Sequence, residues 1–509
     1  MKTIIKTICI VILSVLFSCG DSFLDKSDPA RLNSGSFYQT EDHFKQAMNG
    51  VFHQLQLYVA GVWQYTEFIS DNTTLHYNQN DRGQGPGLEA LEYWQFNTTT
   101  MEQIGPYNLY NGLYSYLSNI NILLSKLQDA NIDEKVKLSY EAQAKFMRAF
   151  YYFDLVQFFG DVILITEPIT DPDRAWDYQR SSVADVFAQI DSDVKFAVET
   201  LPLASDLARA DIGRPTKGAA LTLQGRTFLV RKQYNDAIAS FKQVLTMGYA
   251  LLPDYATVFD PVSKNHAESI FDVQFQGGND LGEHNGFLYN FYPRESYGAV
   301  IPFPNVNGSG WNIPTLDIIG DYEPDDLRKD ISLQEGYVSV RTPGVWMPIP
   351  FINKYNHPHT IQGRADNNWP LMRYAEVLLS LAEAINEQNG PTGEAYGYLN
   401  DVRTRAGLDI VDNLSKEEFR VKVLHERRIE LAFENHRWFD LKRTMSPDEL
   451  VTFLMDYGVR EMTNPTTPTR AASPFTSGDY VITKDKLLFP IPAREMRLNP
   501  ELKQNPGYN

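Results

Sequence analysis

The stretch Leu221–Leu245 narrows the folds open to this chain more than any other. Its apolar residues recur every three to four positions, as they do on the buried face of a helix. Gly225 and Phe228 are followed by Tyr234, Ala237 and Phe241. Small residues at 225 and 237 let two antiparallel helices approach closely, and the aromatic rings fill the groove between them. Such a hairpin cannot bury its own apolar face, so it calls for neighbours on either side. A second pair, Arg373–Glu387 and Thr392–Arg405, has the same outline around Asn389-Gly390-Pro391. Further helices are expected over Thr40–Tyr58 (Thr40 as N-cap, Glu41 and Asp42 in the first turn), Tyr107–Leu127, Val136–Phe159 with Gly160 as its stop, and Val183–Thr200 before Pro202.

The spacing from Gly225 to Phe241 resembles the tetratricopeptide pattern, and the expected fold is mainly α: a tetratricopeptide-like scaffold of helical hairpins. Between Leu252 and Pro370 the character changes. This segment holds 12 of the 28 prolines and three of the seven tryptophans. Proline at that density excludes long helices, and so long a structureless loop is uncommon unless it is functional. An irregular lobe with short strands, such as Ile270–Phe275, is therefore expected over 252–370. It would be inserted between helical parts at 36–251 and 371–509, with 252–509 not folding independently of 36–251. Residues 70–105 and the Pro/Thr-rich 451–480 read as loops, and Lys486–Ile491 as a short final strand.

The N-terminus reads as a processing segment. Lys2 and Lys6 precede an apolar run from Thr7 to Phe17, too short to span a bilayer. The run ends in Leu16-Phe17-Ser18-Cys19, which resembles a bacterial lipobox. Residues 1–18 are then a signal peptide, Cys19 the lipidated first residue, and 19–35 an acidic tether. Cysteine usage agrees: the chain has two cysteines, and cleavage would discard Cys9, leaving one thiol that acylation explains. Two acyl chains give durable anchoring to a membrane.

Formal net charge is −18, and removing Lys2 and Lys6 with the signal makes it −20. An acidic surface of this kind argues against nucleic acid, which needs a basic footprint, and against a basic patch for anionic lipid. No pattern calls for a cofactor or a metal. There is no H-E-x-x-H, no EF-hand loop and no phosphate-cradling glycine loop, and Gly308-Ser309-Gly310 lacks the context of a nucleophile elbow. Glu426, Glu430 and Glu434 line one helical face near His436, which invites a catalytic reading. Arginines at 427, 428 and 437 are interleaved with them, however, and ion pairs locking helices together explain the pattern without a reaction. The chain is expected not to be an enzyme.

Several stretches in order along the chain together resemble the SusD/RagB family of outer-membrane nutrient-binding lipoproteins. They are Phe146-Met147-Arg148-Ala149-Phe150-Tyr151-Tyr152-Phe153 leading to Phe159-Gly160-Asp161-Val162, then Arg373–Leu379 with Ala382-Glu383-Ala384, Leu399–Leu408, Glu426–Glu434, Phe489-Pro490-Ile491-Pro492 and Gln504–Tyr508. Asn435 stands where the family usually has glycine, and Ile163 where proline is usual. The acidic stretch after Cys19 looks like the surface-export signal of Bacteroidetes lipoproteins. The resemblance implies a lipoprotein on the outer face of the outer membrane. Such a protein captures oligosaccharide and passes it to a SusC-like TonB-dependent transporter. Peptide capture, as in RagB-like members, is the alternative, and a surface glycoside hydrolase a more remote one.

A sugar ring presents C–H groups on its faces and hydroxyls on its edge, so a glycan site needs flat aromatic surfaces flanked by a few polar groups. Two loop regions offer that combination, and the family carries ligand contacts in the same two regions. The first contains Asp71, Asn72, Arg82, Tyr93 and Trp94. The second contains Tyr289, Tyr292, Arg294, Tyr297, Asn307 and Trp311. Asp71, Arg82, Tyr93, Trp94, Tyr297 and Trp311 are the expected ligand contacts, while Trp63 and Trp438 read as packing residues.

Overall fold

The computed structural model describes residues 37–77, 85–98, 106–278, 282–301 and 303–508. The signal segment, Cys19 with its tether, and Arg82 lie outside the described residues. Helix α1 (Glu41–Thr66) starts where the Thr40 side chain accepts a hydrogen bond from the His43 N–H, and its acidic first turn complements the helix dipole. It runs on past Tyr58 because Val59, Val62 and Trp63 continue the buried stripe. There follow α2 (Pro106–Gln128), α3 (Glu134–Phe159), α4 (Val183–Thr200), α5 (Lys217–Val230) and α6 (Tyr234–Val244). Each packs on the one before it.

Helix α3 is apolar on nearly all sides over its second half, and every residue from Phe146 to Val156 is buried. Arg148 within that run is fully paired: its guanidinium donates to both carboxylate oxygens of Asp193 on α4, at 2.7 and 2.8 Å, and to Asn121 on α2 at 3.1 Å. The α5–α6 hairpin closes as the small residues require: a Cβ on Gly225 would lie 2.4 Å from the ring of Phe241.

The chain then leaves the scaffold for more than a hundred residues and returns as α7 (Tyr374–Asn389), which packs directly on α6. Next come α8 (Gly393–Arg405), α9 (Lys416–Glu430), α10 (Arg437–Thr444) and α11 (Pro447–Thr463). Stacking of the helices thus continues across the excursion. The excursion is tied by short antiparallel pairs. At its base β2 (Ser269–Val273) pairs with β8 (Trp369–Arg373), Val273 opposite Trp369. From outside it β1 (Thr73–Thr74) pairs with β3 (Ile313–Pro314), and within it β4 (Leu333–Gln334) pairs with β7 (Phe351–Ile352) and β5 (Tyr337–Val338) with β6 (Trp346–Met347).

Glu426, Glu430 and Glu434 are all buried and paired. Glu426 meets Arg328 at 2.6 Å and Arg403 at 3.0 Å; Glu434 meets Arg373 at 2.7 Å and Lys354 at 2.8 Å. Glu430 is shared by Arg328, Arg373 and Arg405. Burial alone would raise the carboxyl of Glu430, but these guanidiniums hold it far below its ordinary value. Asn435 has φ +68°, so a left-handed backbone explains why glycine is common there and why asparagine is tolerated. Its N–H donates to Glu67 at the end of α1 at 2.8 Å.

Three loop or strand assignments need correction. Residues 447–463 form α11, started by a capping box between Ser446 and Glu449, because the prolines of 451–480 that suggested a loop begin only after it, at Pro465. Residues 484–487 are a 3-10 turn, and among the described residues no strand follows them. The segment 70–105 contains a short helix, Gly85–Glu92. Among the described residues no helix is long and apolar enough to cross a membrane.

Candidate functional site

The β1–β3 pair brings the two nominated loop regions together. Beyond it the His76 N–H donates to the carbonyl of Gly310 at 2.7 Å, and the Thr315 hydroxyl donates to the carbonyl of Asp71 at 2.8 Å. Gly310 is left-handed, and a Cβ there would meet the His76 side chain at 2.8 Å. Residues 289–293 and 308–311 run side by side, with the N–H groups of Gly310 and Trp311 donating to Tyr292 and Asn290, each at 2.8 Å. They carry the turn formed by 294–301 and 303–307.

Tyr297 sits in that turn at φ +49°, a conformation disfavoured for a bulky residue. It is held there by its own N–H donating to the Asn307 side chain at 2.7 Å and by its carbonyl accepting from the Asn305 N–H at 3.2 Å. The half-buried ring lies under the guanidinium of Arg341, 3.3 Å from the ring centroid. Arg341 is exposed and comes from the turn between β5 and β6. The hydroxyl of Tyr337 at the root of that hairpin donates to the carbonyl of Arg294 at 3.3 Å, so hairpin and turn are seated on one another. A stacked guanidinium keeps its N–H fork in the plane parallel to the ring and available to hydroxyl oxygens.

A second aromatic group flanks this pair. Nδ1 of His359 donates to the carbonyl of His357 at 3.0 Å, leaving Nε2 to accept from the hydroxyl of Tyr289 at 2.8 Å. The His359 ring also meets Phe303 edge-on, with centroids 5.2 Å apart. Buried behind the loops, His76 is lowered to about 4 by burial and by the positive Arg294, so it is neutral at ordinary pH.

The nominated residues divide. Tyr297 and Trp311 are both half-buried in the second loop region, although the indole N–H of Trp311 is buried and has no acceptor among the described residues. Asp71, Tyr93 and Trp94 do not offer a surface to any ligand. Asp71 is fully buried; burial pushes its carboxyl up, but Arg428 at 2.8 Å and Arg437 at 2.7 Å hold it well below the usual range. Tyr93 packs edge-on against Phe475 and Tyr480, with Arg470 over its ring at 4.7 Å. Trp94, 1 % exposed, wedges between Phe96 and Trp438. These three close the C-terminal part of the chain onto the N-terminal part. Arg82 lies outside the described residues. Arg341 and His359 were not nominated. The turn signal Thr342-Pro343-Gly344 between apolar flanks could have located the hairpin that carries Arg341.

Elsewhere, Glu323, His425 and Glu426 place three possible ligand atoms within 4.8 Å of one another. Arg403 and Lys422 already bind Glu323 and lower it to about 2, and Arg328 and Arg403 bind Glu426. The cluster is therefore neutralised by cations of the chain itself. A groove of about 780 Å³ beside α2 and α3 is lined mostly by polar and charged side chains and by no aromatic one, unlike the two loop regions.

Comparison with known proteins bears on these features. Residues 338–508 match the family described as "SusD family", and residues 22–229 the one described as "Starch-binding associating with outer membrane". A SusD-like protein of Formosa agariphila is 27 % identical, with 99 % of each chain covered. Among solved structures, a laminarin-binding SusD-like protein superposes with a TM-score of 0.73 at 25 % identity, covering 92 % of this chain and 100 % of the other. A SusD homologue from Bacteroides thetaiotaomicron shares the fold, with a TM-score of 0.76 at 22 % identity over 95 % of this chain and 100 % of the other.

Proposed function

Because the chain belongs to the SusD family, we propose that it binds oligosaccharide on the cell surface, at the face formed by the 294–307 turn and the β5–β6 hairpin. Tyr297 carries this reading. A bulky residue held at positive φ by Asn307, with a guanidinium laid on its ring, is a strained arrangement that packing alone does not require. It offers an oriented fork of N–H donors above an aromatic edge, which suits sugar hydroxyls and the C–H groups beside them. The irregular lobe stands on a stacked helical scaffold, so the loops are displayed on a rigid base. The laminarin-binding relative and the starch-binding description support glycan as the ligand class.

Binding takes place without bond cleavage. The carboxylates that invited a catalytic reading, Glu426, Glu430 and Glu434, are each buried and bound to arginine or lysine. Cys19 carries the lipid, residues 19–35 form the tether, and the bound glycan passes to a SusC-like TonB-dependent transporter in the outer membrane.

Native-gel affinity electrophoresis through starch, laminarin and other polysaccharides tests the binding. At least one should retard the protein, and Tyr297→Ala or Arg341→Ala should reduce the retardation; no retardation by any polysaccharide overturns the reading. Cys19→Ala should move the protein from the membrane to the soluble fraction, and unchanged fractionation refutes the anchor. Co-purification of a TonB-dependent transporter with the tagged lipoprotein tests the handover, which loss of that association would contradict.

A further inference from the structure

Separately from the glycan face, we infer that the groove between α1 and the open edge of β2 takes the free N-terminal end of an extended peptide, which pairs with β2 as an added antiparallel strand. The groove measures about 630 Å³, a size usual for a ligand site. Six consecutive residues, Phe271 to Gln276, form one wall. A groove over the face of a strand would meet every second residue, so this one runs along the edge. Asn49, Phe52, His53 and Gln56, on one face of α1, form the other wall.

The edge has backbone groups to offer. Pro370 of β8 stands opposite Asp272 and has no N–H to exchange, so the N–H and carbonyl of Asp272 point away from β8. Alternation turns those of Gln274 the same way. Both carbonyls already accept from amides: Asp272 from the Gln274 side chain at 3.0 Å, and Gln274 from the Gln56 side chain at 2.8 Å. Side-chain amides thus hold the places that the N–H groups of a neighbouring strand would take. Shielding a bare edge requires only these two amides. It does not account for the room beside them, or for Ile212, which lines the groove at 50 % exposure. Nor does it account for Asp272, which lines the groove at 8 % exposure with its Oδ1 unpartnered among the described residues. An N–H brought in by a ligand gives that oxygen the donor it lacks.

Charge sets the direction. Of the other charged residues on the walls, Lys264 is paired with Asp366 at 2.7 Å and Arg214 with Asp211 at 2.9 Å. Glu283 is exposed and, among the described residues, meets no cation. Its carbonyl accepts from the Gln276 N–H at 2.8 Å, so it stands at the C-terminal end of the strand wall. A peptide whose ammonium meets Glu283 enters there and runs back towards Phe271, antiparallel to β2. At about 3.3 Å per residue the wall is about 17 Å long, which accommodates about four residues of an extended chain. Ile212 and half-buried Phe52 meet its apolar side chains.

Isothermal titration with the unblocked tetrapeptides tetraalanine, Ala-Val-Ala-Val and Ala-Leu-Ala-Leu tests this. At least one should bind, and methylating its peptide nitrogens should weaken it about tenfold or more, as loss of the strand's hydrogen bonds requires. Acetylating its N-terminus and the substitution Glu283→Gln should each weaken it about threefold or more, and the acetylated peptide should bind Glu283→Gln and wild type alike. Ala210→Trp places a ring in the groove from an exposed position and should weaken the peptide about tenfold, with the thermal midpoint and the retardation by glycan unchanged. Binding of none of the three peptides overturns the inference and leaves the glycan reading intact. Equal affinity for the methylated peptide, or an Ala210→Trp variant that binds as the wild type does, overturns it as well. Loss of glycan retardation in Ala210→Trp would assign the groove to the glycan site and overturn the peptide reading.

Discussion

The Arg341 guanidinium lies 3.3 Å from the ring centroid of Tyr297, although the two residues come from different loops and the tyrosine needs a left-handed backbone to meet it. Each orients the other, so their contributions to binding are coupled. Tyr297→Ala and Arg341→Ala should each weaken glycan binding by about 1–2 kcal/mol, roughly 5- to 30-fold. The double variant should lose little more than either single one. Calorimetric affinities for all four proteins check this; additive losses would show two independent contacts.

Trp94 behaves differently. Buried between Phe96 and Trp438, it should cost about 3–5 kcal/mol on replacement by alanine. Urea unfolding measures that loss. The folded fraction of Trp94→Ala should bind glycan as the wild type does.

At Gly225 two effects oppose. Alanine in a helix interior ordinarily gains about 1 kcal/mol over glycine, but a Cβ here meets the Phe241 ring at 2.4 Å, and overpacking costs about 1–3 kcal/mol. Gly225→Ala should therefore destabilise, and Phe241→Leu in the same chain should restore part of the loss. A stabilised Gly225→Ala in thermal unfolding would show that the ring moves aside freely.

Burial pushes Asp154, which accepts from the Tyr58 hydroxyl, up to about 7. The folded chain keeps a proton that the unfolded chain releases near pH 4, so this group's stabilisation is complete below that pH and is lost as pH rises through 7. Asp272, Glu67 and Glu461, raised to about 7, act in the same direction. His76 and His436, lowered to about 4, oppose them, because the unfolded imidazoles take up protons as pH falls below 6.5. Asp154→Asn should flatten the decline in unfolding free energy between pH 5 and 7 by up to about 1.4 kcal/mol per pH unit. An unchanged slope would show that Asp154 is ionised throughout.

The scaffold was readable because its signals are local and periodic. Thr40, Gly160 and Pro202 bound their helices as their chemistry dictates, and Gly225 with Phe241 encoded a hairpin in two residues. Helix α11 was hidden by the prolines just beyond it, although Ser446-Pro447 with Glu449 carried a start signal. The site was less readable. An aromatic beside polar residues in a loop looks the same whether it faces ligand or core, and only Arg470 over Tyr93, Arg428 and Arg437 around Asp71, and Trp438 against Trp94 reveal which these are. Arg341 gained its meaning from a contact 44 residues away in sequence, which no window of residues contains.

Val273 and Trp369 are paired at the point where the chain leaves the helices and where it comes back. Both ends of the excursion therefore meet in one short ladder, while α6 and α7 close the stack beneath it. Variation between Gln274 and Asn368 is limited to stretches that spare Arg328 and Lys354, because these two neutralise the buried Glu426, Glu430 and Glu434 of the scaffold. A foreign lobe grafted on the same ladder must therefore bring its own cations for those carboxylates as well as match the two strand ends.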